Sequence, residues 1–346
     1  MPGDRVGTGA EPSLSVVVPC YNEEESLREL HRRVSAVCQD VAGDDHEIVL
    51  INDGSRDATW TLIEELIGED GHVVGVDLSR NHGHQLALSA GLSVCRGHRI
   101  LIIDADLQDP PELLPDMMAL MDGGADVVYG QRRVRHGETR FKTASAALFY
   151  RVLDRLVDTR IPVDTGDFRL MSRRALDQLL AMPERHRFIR GMVSWIGFRQ
   201  EPLLYDRQER FAGETKYPLS KMVRFAIDAI TSFSTRPLQF ASVLGIVFGM
   251  SGVLGMIYAL ASWAAGNTVP GWTSVIIIVL ILGSVQLFVL GIFGEYLGRM
   301  YMEAKRRPLF VIADIRRGQP PAAAVSRPVP ADEPRPVPVD HPAAPD

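Results

Sequence analysis

The sequence contains few cysteines, and they do not cluster. The three residues, Cys20, Cys38 and Cys95, are odd in number and far apart in a chain of 346 residues. Because this spacing fits neither a zinc motif nor a disulfide framework, we expect free thiols in a reducing compartment. Basic residues are not in excess, since the formal net charge is −6, and this does not favour a nucleic-acid-binding protein. No apolar run follows the N-terminus, so we expect no signal peptide.

Charge is missing from Pro237 to Gly294, where the sequence has no Asp, Glu, Lys or Arg. Two apolar runs inside this stretch, at about 240–265 and 275–294, each meet the roughly 20 residues that a helix needs to cross a bilayer. The alternative, a buried soluble hairpin, would need an unusually large core. Arg and Lys flank the pair outside, and the turn between the runs is uncharged. The positive-inside rule then predicts a multi-pass protein of the cell (inner or plasma) membrane, with the N-terminal domain and both termini in the cytoplasm.

No glycine-rich phosphate loop follows the first predicted strand. The sequence has neither Gly-x-Gly-x-x-Gly at that place nor a Walker-type loop, which disfavours dinucleotide dehydrogenases and P-loop enzymes. Strands and helices instead alternate strictly with short loops, which is typical of a doubly wound, mostly parallel α/β sheet. In such sheets the ligand binds beyond the carboxyl ends of the strands. The predicted strands are 13–19, 47–53, 73–78, 99–104 and 126–130.

The stretch Ile100–Asp109 combines a predicted buried strand with three carboxylates that directly follow it. Crowded carboxylates repel one another unless a cation lies among them, and oxygen ligands favour Mg²⁺ or Mn²⁺. We therefore predict a metal site at Asp104 and Asp106. The alternative is that the carboxylates cap the following helix, and capping is the role that we expect for Asp109, which directly precedes a Pro-Pro pair.

Polar residues also follow the first two predicted strands, and we expect them to meet Asp104 and Asp106 in one crevice. Glu23 and Asp53 can accept hydrogen bonds from a base or a ribose, while the metal at Asp104 and Asp106 would hold phosphates. This arrangement indicates a nucleotide-diphosphate site built from carboxylates and a cation. His82 and His84 begin a predicted helix, where a surface or capping role is favoured because no further metal ligand is suitably spaced.

The alternation stops near residue 138, and cationic and amphipathic segments follow. Gly245, Gly249, Gly252 and Gly255 recur at helical spacing in the first apolar run, which suits close helix packing. We divide the chain into a disordered N-terminus (1–12), an α/β domain (13–217), an amphipathic juxtamembrane helix (218–236), two transmembrane helices (237–298), a cytoplasmic juxtamembrane segment (299–317) and a disordered Pro-rich tail (318–346).

Three N-terminal motifs resemble the inverting family 2 glycosyltransferases of GT-A fold. They are Val-Val-Pro-Cys-Tyr-Asn-Glu-Glu (17–24), Asn-Asp-Gly-Ser-Arg-Asp (52–57) and Asp-Ala-Asp-Leu-Gln-Asp-Pro-Pro-Glu (104–112). Thr-Gly-Asp-Phe-Arg-Leu (165–170), Arg-Phe-Ala-Gly-Glu-Thr-Lys-Tyr (210–217) and the two apolar runs narrow the resemblance to polyprenyl-phosphate glycosyltransferases. Within that group the chain is most similar to the bactoprenol glucosyltransferases, with dolichol-phosphate mannose synthases as relatives. The Gln-x-x-Arg-Trp motif of processive synthases is absent from the sequence.

The resemblance implies metal-dependent transfer of a sugar from a nucleotide sugar to the phosphate of a membrane polyprenol. UDP-glucose is the favoured donor and GDP-mannose the alternative. A different alternative is a catalytically silent, membrane-tethered protein that binds nucleotide sugars. A homo-oligomer is possible. The metal ligands implied are Asp104, Asp106 and Gln108, and the implied nucleotide-sugar contacts are Pro19, Tyr21, Glu23, Asp53, Asp104, Ala105 and Asp106.

The same resemblance places Arg210 and Lys216 over the diphosphate, although a solvated or lipid-facing charged loop is the alternative for them. A phosphate acceptor is already ionised, so it needs cations that hold it in line rather than a base. Arg132, Arg140 and Lys142 are the candidates, and a basic face near lipid is the alternative for the last two. Asp167 would orient the sugar or act as a base, with Asp164 second; alternatively it forms a structural ion pair with Arg169.

Overall fold

We obtained the structure as a computed structural model, which describes residues 11–133, 165–206, 234–266 and 271–318. Its strands are β1 (Leu14–Cys20), β2 (His46–Asn52), β3 (Val73–Leu78), β4 (Arg99–Ile102), β5 (Val127–Arg132), β6 (Thr165–Ser172), β7 (Gln200–Tyr205) and β8 (Ile312–Arg317). Its helices are α1 (Leu27–Ala42), α2 (Thr59–Glu69), α3 (His84–Val94), α4 (Leu114–Asp122), α5 (Arg173–Ala181), α6 (Ile189–Ile196), α7 (Arg236–Ala264) and α8 (Trp272–Ala304), with a short 3₁₀ turn at Pro111–Leu113.

The eight strands form one mixed sheet in the order β7-β5-β6-β4-β1-β2-β3-β8. β1 pairs in parallel with both β2 and β4, and every residue of β1 and β2 is buried. Strands that are covered on both faces are apolar throughout rather than alternating. One core lies between the sheet and α1, α2 and α4, and a second core lies on the opposite face under α3, α5 and α6. The predicted mostly parallel α/β sheet is confirmed.

β6 is a strand that the alternation of predicted elements does not reveal. It lies between β4 and β5 and runs antiparallel to both, and all of its residues except the last are buried. Because its direction is reversed, its first residues lie at the edge where the parallel strands end. Thr165, Gly166 and Asp167 are thereby brought to the carboxyl edge of β4 and β5.

The predicted juxtamembrane segment 299–317 has a different structure from the one expected. α8 continues to Ala304, and residues 312–317 return to the sheet as β8, antiparallel to β3. Phe310 and Ile312 pack against the core on the α3 face, and Ser79 N donates to Val311 O over 2.9 Å. Partial burial of these two apolar side chains and pairing with the edge of the sheet explain why residues 312–317 join the sheet as β8.

The C-terminal helices α7 and α8 are long and apolar, and nearly all their described apolar side chains are exposed. The segments Arg236–Ser262 and Ile277–Ala304 are each long and apolar enough to cross a membrane. No part of the most apolar stretch of either segment is buried inside the protein. A buried soluble hairpin is therefore not what these residues form. A Cβ on any of Gly245, Gly249, Gly252 and Gly255 would meet no atom within 4 Å. The close helix packing predicted at these glycines is absent from the described residues.

Candidate active site

The loops after β1 and β2 are joined to each other at the carboxyl edge of the sheet. Asn22 N donates to Ser55 Oγ at 3.1 Å, and Arg56 N donates to Asn22 Oδ1 at 2.9 Å. Asn22 has a left-handed backbone with φ of 55°, a conformation that asparagine tolerates better than most residues. This mutual bonding gives the crevice a fixed wall on the side of β1 and β2.

Asp53 is buried in this wall and holds the next loop in place. Its two carboxylate oxygens accept the backbone N–H groups of His82 (2.7 Å) and Gly83 (2.9 Å). Gly54 adopts φ of +64°, and a Cβ on it would lie 2.5 Å from Asn81 N, so only glycine allows this close approach. Contact between Asp53 and a nucleoside stays a prediction, because the contacts observed for its side chain position the loop before α3.

The other predicted nucleotide contacts after β1 differ in how far they are exposed. Pro19 lies within β1 and is buried, whereas 43% of Tyr21 is exposed beside it. Glu23 accepts a hydrogen bond from Ser26 Oγ over 2.8 Å, and its N–H donates to Thr59 Oγ1 over 2.9 Å. The ring of Tyr21 is therefore accessible beside β1, while Glu23 organises the beginning of α1.

The loop after β4 carries the predicted metal ligands. Asp104 and Asp106 are partly exposed and Ala105 is buried. Asp106 Oδ1 accepts the backbone N–H of Gln108 at 3.2 Å, and the intervening Leu107 has a left-handed φ of 58°. The loop therefore turns back on itself at Leu107, between Asp106 and Gln108. Oδ1 of Asp104 is buried and accepts no hydrogen bond from any residue in the described part of the chain.

Asp104 belongs to a cluster that includes His84 and Asp167. Nε2 of His84 lies 3.1 Å from Asp167 Oδ2 and 3.5 Å from Asp104 Oδ1. Asp167 is 2% exposed and accepts further hydrogen bonds from Gln85 Nε2 and from Arg190 Nε, both at 3.0 Å. The end of β4, the beginning of β6 and the beginning of α3 thus meet at one point.

Charge decides the protonation of the cluster. Burial alone would raise the pKa of Asp167, but Arg190, His84 and Arg169 outweigh it and hold that pKa well below its usual range. Burial is also the largest effect on His84, yet the hydrogen bond to Asp167 and the charge of Asp104 outweigh it and raise the pKa of His84 to about 9. Burial raises the pKa of Asp104 to about 6, against the opposing charge of His84.

These contacts correct one role predicted from sequence. The capping role for His84 is wrong, because the residue before α3 is Gly83 and no side chain caps this helix. His84 does lie at the surface, with 43% of its side chain exposed, but its ring also contacts two carboxylates. They also bear on Asp167, whose ion pair with Arg169 is present at 3.8 Å. A carboxylate that cations and donors hold ionised accepts a proton poorly. The geometry therefore favours an orienting role for Asp167 over a role as base.

Asp109, Tyr205 and Arg132 form a second polar group beside this cluster. Asp109 is fully buried and accepts a hydrogen bond from the hydroxyl of Tyr205. Arg132 lies close to both, with Nη2 at 3.9 Å from Asp109 Oδ1. The capping role predicted for Asp109 is wrong, because neither the 3₁₀ turn at Pro111 nor α4 has a side-chain cap. A buried carboxylate needs partners, and Asp109 has them in Tyr205 and Arg132 instead.

Four predicted site residues, Arg140, Lys142, Arg210 and Lys216, lie outside the described residues, and so does Asp164. Three residues of the cluster were not identified from sequence as site residues: His84, Gln85 and Arg190. His84 and Gln85 could have been found from their place, since they directly follow the loop at the carboxyl end of β3. Nothing in the local sequence marks Arg190, which begins to matter only when α6 packs beside β6.

The residues present fit a divalent cation. Oδ1 of Asp104 is buried and accepts no hydrogen bond in the described part of the chain, and its ion-pair partner His84 lies 3.5 Å away. A cation would satisfy this atom, and Asp106 and Gln108 add oxygens from the same loop. A second possible set consists of His84, Asp104 and Asp167, whose ligand atoms lie within 4.8 Å of one another. Since His84 and Asp167 already bond to each other, the all-oxygen loop is the better match to Mg²⁺ or Mn²⁺.

The chain is similar to known proteins over most of its length. The family model described as "Glycosyl transferase family 2" matches residues 15–180. The chain is 46% identical over 299 residues to the uncharacterized glycosyltransferase YkcC of Bacillus subtilis, covering 86% of this chain and 92% of that protein. It is 38% identical to the prophage bactoprenol glucosyl transferase homolog of Escherichia coli, covering 88% and 99%. The chain belongs to glycosyl transferase family 2.

Glucosyl-3-phosphoglycerate synthase from Mycobacterium tuberculosis, in complex with Mn²⁺, uridine-diphosphate-glucose and phosphoglyceric acid, superposes with a TM-score of 0.44 at 20% identity. The alignment covers 64% of this chain and 78% of that one.

Proposed function

We propose that the protein transfers a sugar, with glucose from UDP-glucose favoured, to the phosphate of a membrane polyprenol. The observation that carries the proposal is the convergence of Asp104, His84 and Asp167 at the carboxyl edge of the sheet, in a chain that also has two membrane-length helices. Relatives named bactoprenol glucosyl transferases match it over nearly their full length, for example 99% of the protein from Shigella flexneri at 39% identity. Together these support a membrane-bound glycosyltransferase with a lipid acceptor.

The bonds that change define what the site must do. An oxygen of the acceptor phosphate forms a bond to C1 of the sugar, while the bond from C1 to the nucleoside diphosphate breaks and its electrons pass to the diphosphate. Attack opposite the leaving group inverts the configuration at C1. Because the acceptor is already an anion, no proton has to be removed. The protein must therefore align two anions and stabilise the charge that develops on the leaving group.

The described residues divide these tasks. Mg²⁺ or Mn²⁺, held by Asp104, Asp106 and Gln108, would stabilise charge on the departing diphosphate when bound. Asp167 fixes His84 and Arg190 by hydrogen bonds of 3.1 and 3.0 Å, so that cationic groups face the carboxylates of the donor site. Arg132, at the end of β5, is the described candidate for the acceptor phosphate, and Arg140 and Lys142 are proposed beside it. Arg210 and Lys216 are proposed to close over the diphosphate.

The helices α7 and α8 would anchor the catalytic sheet to the bilayer. The acceptor is confined to the membrane, and anchoring the enzyme there raises the concentration of acceptor that the site encounters. The uncharged turn between the spans and the cations outside them favour an orientation with the catalytic sheet and both termini in the cytoplasm. The protein would then act on lipid at the inner face of the cell membrane.

Substitution of Asp106 by Asn tests the proposal. Vesicles containing the full-length protein and a polyprenyl phosphate would receive a panel of radiolabelled nucleotide sugars, including UDP-glucose and GDP-mannose, and labelled lipid would be measured. We expect label from one donor, dependent on divalent cation, and a loss of at least about 100-fold in Asp106→Asn. Asp116→Asn, which changes an exposed carboxylate on α4, is the matched control. Failure of the wild-type protein with every donor would favour the silent binding protein instead.

A further inference from the structure

The hydroxyl of Tyr205 lies between a carboxylate and a guanidinium, at the edge of the candidate site. It donates a hydrogen bond to Asp109 Oδ1 and accepts one from Arg132 Nε over 3.4 Å. A neutral phenol can do both at once, since it has one proton and two lone pairs. Tyr205 is 4% exposed and Asp109 is fully buried, so solvent does not compete strongly for these bonds.

The backbone brings Tyr205 to this position and leaves room for its ring. Arg132 and Tyr205 are paired residues on the parallel strands β5 and β7. The ring packs edge to face against Phe168, with centroids 5.8 Å apart. A Cβ on Gly130 would approach the Tyr205 ring to 2.9 Å, so a larger residue there would displace the ring. The position of the hydroxyl is therefore fixed by packing on β5, β6 and β7.

A neighbouring glycine also leaves room for the side chain of Arg132 beside the cluster of Asp104, His84 and Asp167. A Cβ on Gly166 would come within 3.0 Å of Arg132 Nη2, and Gly166 is adjacent to Asp167 at the beginning of β6. The guanidinium is only partly exposed, with 17% of the side chain accessible. Its shortest distance to Asp109 is 3.9 Å, which is too long for a hydrogen bond. Tyr205 is thus the group that bonds both Arg132 and Asp109.

We propose that Tyr205 is a positioning residue, whose hydroxyl links Arg132 to the loop that carries Asp104, Asp106 and Gln108. Asp109 ends that loop. The hydrogen bonds of Tyr205 therefore connect the proposed site of the donor diphosphate to Arg132, the side chain proposed to hold the acceptor phosphate. This inference rests on the proposed function, because it takes Arg132 as the acceptor's partner. Burial, reinforced by the charge of Asp109, raises the pKa of Tyr205, and the hydroxyl therefore keeps the proton that the bridge requires.

Tyr205→Phe removes the bridging oxygen and keeps the ring that packs on Phe168. We expect kcat/KM for a polyprenyl phosphate to fall on the order of tenfold or more, the usual range for a hydrogen bond to a charged group. Affinity for the nucleotide sugar, measured by titration without acceptor, should stay within about twofold. Tyr129→Phe, which removes a hydroxyl from a half-buried tyrosine three positions before Arg132 on β5, should change neither value.

The Arg132→Ala background separates positioning from a purely structural role. If Tyr205 acts through Arg132, adding Tyr205→Phe to Arg132→Ala should cause little further loss, whereas independent effects would multiply. Equal losses of donor and acceptor affinity, or a Tyr205→Phe variant as active as wild type, would overturn the inference while the transferase function stands. If the wild-type protein neither binds nor glycosylates a polyprenyl phosphate, the proposed function fails and the inference fails with it.

Discussion

The central sheet and the helix pair α7–α8 are both rich in apolar residues, but they use them in opposite ways. In the sheet, residues such as Val17 and Leu50 are fully buried between two layers of helices, whereas on α7 more than half of Leu254 and Met250 is exposed. The sheet supplies its own apolar surroundings. The helices need surroundings from outside, and an exposed apolar surface of this length is what a bilayer covers. The same amino acids thus define a folded core in one region and two candidate membrane spans in the other.

The largest effects are expected from an apolar-to-acidic substitution, and the effect should differ between the sheet and the helix pair. Val17→Asp would bury a carboxylate between β2 and β4, and the cost of several kcal/mol takes up much or all of the typical stability of about 5–15 kcal/mol. We expect no folded protein. Leu254→Asp, at an insertion cost of about 2.5–3.5 kcal/mol, should reduce membrane integration but leave nucleotide binding intact. Protease resistance and carbonate extraction of membranes measure the two effects; equal protease sensitivity would contradict the comparison.

Low pH should have a smaller effect, which we expect on the stability of the sheet domain and not on the helix pair. Hydrogen bonds from His31 (2.9 Å) and His72 (2.8 Å) hold the pKa of Asp70 well below its usual range. A carboxyl with a depressed native pKa contributes stability that is fully present above its unfolded pKa of about 3.9 and is lost as the pH falls below that value. The sheet domain should therefore lose stability below about pH 4. The span Pro237–Gly294 has no carboxylate and no basic side chain to respond.

The variant Asp70→Asn tests whether Asp70 causes this loss of stability at low pH. In thermal unfolding followed by circular dichroism between pH 3 and 7, the variant should be less stable than wild type at pH 7. The difference should shrink as the pH approaches 3. Asp116→Asn, on exposed α4 surface, serves as the control and should follow the wild-type curve. A constant difference at all pH values would show that Asp70 acts through packing rather than through its charge.

The smallest effect is expected within the helix pair itself. A Cβ added at Gly249 meets no atom within 4 Å, so Gly249→Ala should leave the association of α7 and α8 unchanged and gain only about 1 kcal/mol or less of helix propensity. The same substitution at Gly91, where a Cβ would lie 2.4 Å from Ile51, should destabilise the sheet domain. Thermal unfolding of both variants in detergent tests the contrast. Strong destabilisation by Gly249→Ala would reveal a packing partner for α7.

Local sequence predicted the features whose cause is local. The bounds of β3 agree with the structure residue for residue, because a short run between turn signals defines this strand. The crowding of Asp104 and Asp106 is also visible within three positions, and in the described residues one oxygen of Asp104 accepts no hydrogen bond. These features depend on neighbours in the chain, and a chain read in order reveals them.

The features that sequence missed depend on pairing over long distances. His84 meets Asp167 across 83 positions, and Tyr205 meets Asp109 across 96. The position of His84 after β3 places it at the carboxyl edge of the sheet, but its contact with Asp167 is not visible in the sequence, because it forms only when β6 inserts beside β4. β8 was missed for the same reason, since its charged residues favour a surface segment until β3 provides an edge. The carboxyl edge could be predicted, but the partners that assemble there could not.

The return of the chain as β8 sets a limit on distance. Residues 305–311 alone connect the end of α8 to the sheet, and seven residues cannot span more than roughly 25 Å. Arg185 shortens this reach further, since its backbone N–H donates to Glu303 at 2.7 Å. Val311, at the far end of the tether, bonds to Ser79, which belongs to the loop that Asp53 secures. The candidate site therefore lies within a limited distance of the end of α8, and any movement of the sheet away from the helix pair is restricted to that distance.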